Sequence, residues 1–110
     1  MQTNQLQQRV ERIEQCADDA VKAMQQAGAN APDELRQCVV QMHEQARDLR
    51  AKAQQASDQA QLTGSVDSLE QTGDRAKAAC GSAGGRIDPQ LQSAVIKAHD
   101  EISDLKKQMH

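Results

Sequence analysis

Apolar residues recur along this chain at alternating spacings of four and three. The longest run is Leu35, Val39, Met42, Ala46, Leu49, Ala53, Ala56 and Ala60. Two apolar positions in seven line one narrow stripe of an α-helix, and such a helix satisfies itself by packing along other helices. The same alternation passes through Leu6, Val10, Ile13, Ala17, Ala20, Met24 and Ala27. It returns in Val66, Leu69, Gly73, Ala76, Cys80 and Ala83, and again in Leu91, Val95, Ala98, Ile102, Leu105 and Met109.

Start and stop signals divide these runs into four helices, predicted over 4–27, 33–62, 66–82 and 89–109. Thr3 or Asn4 can cap the first, and Gly28 supplies the residue past its last turn that tolerates a left-handed backbone. Pro32, Asp33 and Glu34 suit the start of the second, where a missing N–H costs nothing and the helix dipole favours carboxylates. Thr63-Gly64-Ser65 is expected to interrupt that helix, with Ser65 and Asp67 opening the third. Gly73 inside the third costs roughly 1 kcal/mol relative to alanine, which makes it the weakest of the set. Asp88-Pro89 is the clearest start signal, a capping carboxylate followed by proline, and Lys106 and Lys107 suit the far end of the fourth helix. With loops of a few residues between them, the helices make an all-α, up-down-up-down antiparallel four-helix bundle in a single domain, 1–110.

Residue size supports that arrangement. The first helix is large at its start (Leu6, Val10, Ile13) and small at its end (Ala17, Ala20, Ala27), and the second repeats the order from Leu35, Val39 and Met42 to Ala53, Ala56 and Ala60. Antiparallel packing then sets bulk against alanine at both ends, which is how helices fill a core without voids.

Composition sharpens the class. There is no Phe, Tyr or Trp, so burial rests on aliphatics, methionine and many alanines, each alanine contributing little. A homodimer burying more stripe would offset so thin a core. Val21 and Ile96, beside the stripes, either widen the core faces or form a partner surface. The net charge is −3 with both signs interspersed, which offers no basic stripe to a nucleic acid. The first residues lack the basic and apolar regions of a secretory leader, and no apolar run is long enough to span a bilayer. Three widely spaced cysteines fit a reducing, cytoplasmic setting better than a disulfide framework.

Those cysteines carry the one sharp chemical possibility. Cys38, Met42 and His43 place a thiol, a thioether and an imidazole about one turn apart, a donor set suited to Cu or Zn, which Cys16, Met24, Cys80 and His99 can join. Levelled on a rise of about 1.5 Å per residue, Cys16, Met42, His43 and His99 come near one height. The faces disagree: Cys16 and Cys38 fall just before a stripe position, His43 and His99 just after one. Cys16 and Cys38 can share a seam between helices, at heights differing by roughly 9 Å, too far for a disulfide. With no C-x-x-C pair and no Glu-x-x-His motif, the metal set is weak. Catalysis by a cysteine needs a base and a cleft, which tight loops do not provide. Gly81-Ser82-Ala83-Gly84-Gly85-Arg86 lacks the strand and the Gly-Lys-Ser/Thr ending of a phosphate-binding loop. Glutamine patches such as Gln7-Gln8, Gln25-Gln26 and Gln54-Gln55 are broken by charges and read as a solvated face. The expectation is a non-catalytic bundle, without cofactor, that binds another protein or itself. The alternative is a thiol or soft-metal responder using Cys16, Cys38, Met42, His43 and Cys80.

Overall fold

A computed structural model describes residues 3–28, 31–55, 59–83 and 87–109. They form α1 (Thr3–Ala27), α2 (Asp33–Gln55), a 3-10 turn (Gln59–Leu62), α3 (Thr63–Ala83) and α4 (Pro89–Met109). Each helix packs on the two beside it, and α1 against α4 closes the ring.

Side-chain pairs fix the directions. On α1 and α2, Glu14 meets Arg50 and Asp18 meets His43, so numbers climb on one helix as they fall on the other. Gln41 with Arg75 and Lys52 with Ser65 do the same for α2 and α3. Glu70 with Lys106 and Asp74 with His99 do so for α3 and α4. Neighbours therefore run antiparallel, and the bundle measures 43 × 21 × 17 Å. Among the described residues no helix is long and apolar enough to cross a membrane.

The apolar stripes are the core. Ala17, Ala20, Leu35, Val39, Met42, Ala46, Leu49, Leu69, Ala76, Leu91, Val95, Ala98, Ile102 and Leu105 are fully enclosed. The pairings of α1 with α2 set Val10 near the level of Ala53, with which it lines a small hollow, and Ala27 near that of Leu35. Bulk faces alanine at both ends. The buried faces are wider than two positions in seven, because Cys16, Ala23, Cys38, Thr72 and Ala79 beside the stripes are buried too. These are small side chains, and small side chains let adjacent backbones approach until the flank of the stripe is also covered. Val21 packs on the core in the same way.

Two boundaries differ from the sequence reading. The second helix stops at Gln55 rather than 62, and the third starts at Thr63 rather than 66. Thr63, Gly64 and Ser65 form the first turn of α3 instead of a break. The first-turn N–H groups of a helix have no partner within it, so a glycine or serine costs less there than in the middle. Leu62, buried at the end of the 3-10 turn, anchors the chain just before that turn, while Ala60 is exposed and leaves the second stripe. Thr3 and Asn4 as caps, Ala56 on the second stripe, the side chain of Ala83, and Gly84, Gly85 and Arg86 of the glycine-rich loop lie outside what the structure describes.

The other start and stop signals act as read. Gly28 adopts φ +55°, the left-handed conformation that ends α1. The Asp88 carboxylate accepts hydrogen bonds from the N–H groups of Gln90 (2.8 Å) and Leu91 (3.3 Å), with Pro89 as the first helical residue of α4.

Candidate functional site

In a ring of antiparallel helices, a residue just before the stripe and one just after it point to opposite neighbours. That rule distributes the candidate side chains. Cys16 faces α4, where Lys97 and Glu101 act on its thiol and Glu101 also holds Arg9 and Arg12, each at 3.9 Å. Cys38 faces α3, with Arg75 nearby. His43 faces α1, its Nε2 3.7 Å from Asp18. His99 faces α3, its Nε2 2.6 Å from Asp74 and its Nδ1 3.5 Å from Asp100 on its own helix. The four lie in four different seams.

This corrects one expectation. Cys16 and Cys38 do not share a seam, because α1 turns its pre-stripe flank to α4 while α2 turns its own to α3. Met42 is fully enclosed in the core, one turn from Cys38 on α2 but on a different flank from His43. Among the described residues no three of His, Cys, Asp and Glu are grouped to hold a metal ion. The proposed soft-metal set of Cys16, Cys38, Met42, His43 and Cys80 is thus divided between three seams and the core.

Thiol chemistry is further restrained by burial. All three cysteines are buried and unpaired. Burial raises the Cys16 thiol above its ordinary value of 9.0, with Glu101 and Asp19 adding to the rise and Lys97 and Arg12 opposing it. Burial likewise raises Cys38, against the nearby Arg75 guanidinium. It raises Cys80 as well, and there Cys38 adds to the effect. A thiol is a nucleophile or metal ligand only as the thiolate, so at neutral pH all three behave as small apolar side chains.

Two arrangements were missed by the pattern reading. Arg36 folds back over the turn between α1 and α2, its Nε donating to the Ala31 carbonyl at 2.9 Å and its guanidinium also to the Gly28 carbonyl. A basic residue one turn inside a helix that follows a capping glycine was the signal for it. Thr72, fully buried on α3, donates to the Ser68 carbonyl (3.2 Å) and accepts from Arg75, which also reaches Gln41 on α2. Nothing in the spacing marked this threonine as core.

On the surface, α1 and α2 border an open furrow of about 560 Å³ where Glu14 and Asp18 of α1 stand across from His43, Arg47 and Arg50 of α2. Arg50 bridges both Glu14 oxygens at 3.2 Å across it. His43 is likewise set against Asp18 across it. Compared with family models, with curated proteins and with solved structures, the chain matches none.

Proposed function

We propose that this chain is a non-catalytic helical bundle that works by binding another protein through its polar outer faces, in the reducing setting of the cytoplasm. One observation carries the reading: among the described large hydrophobic residues, Val40 alone is exposed. An apolar interface of the kind that holds obligate dimers together has little to form on, so a partner of different sequence is favoured over a second copy. What the faces offer is charge and amide. Interspersed carboxylates, guanidiniums and glutamines suit contacts that set specificity and speed of encounter more than raw affinity. The unpaired thiols agree with a compartment that keeps cysteines reduced.

The test pairs light scattering with affinity capture. A monomer at micromolar concentration is expected, together with a partner that is released as salt rises, since exposed charges beyond about 8 to 10 Å are screened at physiological ionic strength. Replacing all three cysteines by alanine should leave that capture intact. A dimer that persists on dilution, or a capture that fails in the cysteine-free variant, would overturn the reading.

A further inference from the structure

Charge is sorted by flank along the first half of α1. Glu11, Glu14 and Asp18 border the furrow shared with α2, whereas Arg9 and Arg12 border a second open hollow, of about 530 Å³, on the side of α4. Its other described walls are Gln5, Gln8 and Gln108, so no carboxylate stands among the described lining residues. Gln5, Gln8, Arg9 and Arg12 follow one stripe of the helix, and antiparallel packing brings Gln108 of α4 to the start of that stripe. The two hollows differ in how their charges are met. In the α2 furrow Arg50 donates to both Glu14 oxygens at 3.2 Å. On the α4 side two guanidiniums converge on a single oxygen, Glu101 Oε2, each at 3.9 Å, an ion-pair distance beyond hydrogen-bond reach. That oxygen is buried and has no hydrogen-bond partner among the described residues. Cations three residues apart on a helix are neighbours and repel, and one carboxylate balances only one of them. Asp19, the next carboxylate of α1 on this side, is about two turns beyond Arg12 and accepts a hydrogen bond from Gln15 at 3.1 Å.

We infer that this hollow is the docking site for an acidic segment of a partner protein, an assignment that rests on the chain being a binder of protein through its polar faces. A carboxylate of the segment bridges Arg9 and Arg12, and the three glutamines take peptide groups on either side of it. The planar guanidinium fork matches a carboxylate. A carboxamide both donates to a carbonyl and accepts from an N–H, which suits a peptide backbone. Sites for free small molecules are enclosed and mostly apolar, whereas this hollow is open and walled by arginine and glutamine, so a segment that arrives with its own cover fits it better. Glu101 has two roles there. It holds both guanidiniums toward α4, and it competes with the incoming carboxylate for them.

A tetraglutamate peptide with blocked ends, titrated into the isotope-labelled full chain and followed by nuclear magnetic resonance, provides the test. A tetraglutamine peptide and inorganic phosphate are run beside it at matched ionic strength. With tetraglutamate, the side-chain N–H signals of Gln5, Gln8, Arg9, Arg12 and Gln108 should shift together and saturate, and with tetraglutamine they should stay in place. Arg9→Gln and Arg12→Gln should each weaken binding by about two- to fivefold, the range of one exposed charge pair. Glu101→Gln should strengthen it by releasing both guanidiniums, a gain that a merely structural role for these residues would not give. Circular dichroism verifies that each variant folds. Shifts centred elsewhere, as at Lys106 and Lys107, equal binding of tetraglutamine, arginine variants without effect, or weaker binding by Glu101→Gln would overturn the inference. So would saturation by phosphate at the same concentrations, which would assign the hollow to a free oxyanion. A captured partner that the double variant Arg9→Gln, Arg12→Gln still retains would remove this site and leave the chain a protein binder, whereas a parent chain that captures no protein would remove the binder itself.

Discussion

α2 and α3 lie side by side along the bundle, yet they are held in place by different means. α2 opens with Asp33 and Glu34, carries Lys52 in its last turn, and buries Leu35, Val39, Met42 and Leu49 along one face. α3 has no acidic residue in its first turn and no basic one in its last. It contains Gly64, Gly73 and Gly81, and its large buried aliphatics are Val66 and Leu69. What α3 lacks internally its neighbours supply. Lys106 of α4 reaches Glu70 at 2.8 Å and Asp67 at 3.6 Å, and His99 reaches Asp74 at 2.6 Å. From α2, Lys52 and Gln41 reach Ser65 and Arg75. One helix brings its own propensity, dipole complement and bulk to the bundle, and the other is shaped by the groove it occupies. Local opening is therefore expected to begin in α3.

The strongest challenge to that contrast is Leu49→Ala. Leu49 is fully enclosed, and truncating such a side chain costs about 2 to 5 kcal/mol of unfolding free energy through lost transfer and the cavity left behind. Urea denaturation should show the midpoint falling with little change in slope. A loss below about 1 kcal/mol would mean that α2 can collapse around the gap, and its role as the self-supporting member of the pair would be gone.

The contrast also explains what could be read from the residues alone. Wherever bulk and propensity agree, as from Leu35 to Ala53, the helix and its buried face were legible. Where Gly64 and Ser65 looked like a break, tertiary packing decided otherwise: Leu62 is buried and α3 forms directly after it, because first-turn residues give up no internal hydrogen bond. The flanks were harder. Whether Cys38 faces α1 or α3 depends on the order of the helices around the ring and not on spacing along the chain. Spacing alone therefore allowed Cys16 and Cys38 a shared seam that the order of the helices does not give them. Thr72 was missed for a related reason, since a hydroxyl is buried only where a carbonyl one turn back and a neighbouring arginine satisfy it.

Gly73→Ala sharpens the comparison in the opposite sense. A methyl added there would lie 3.6 Å from both His99 Cδ2 and Ile102 Cδ1, ordinary contact with no need for either to move. Removing a glycine from a helix interior gains about 0.8 to 1 kcal/mol. The expected result is a higher melting temperature with slower amide exchange across α3 and little change across α2. If exchange slowed equally in both helices, they would open as one unit, and α3 would not be the weaker partner.

The smallest effect is expected where α2 uses charge. Arg50 spans the furrow to both oxygens of Glu14 at 3.2 Å, with the arginine side chain 44% exposed. Two long side chains held at a wet surface trade coulombic attraction against lost rotamer freedom, so exposed pairs contribute about 0.2 to 1 kcal/mol. A double-mutant cycle with Arg50→Ala and Glu14→Ala isolates that coupling from the packing of the arginine stem. Raising the salt concentration should shrink it further. A coupling above about 2 kcal/mol would exceed what this geometry supplies to an exposed pair. It would show that α2, like α3, is fastened from outside, leaving the buried aliphatics of α2 as only part of what holds it.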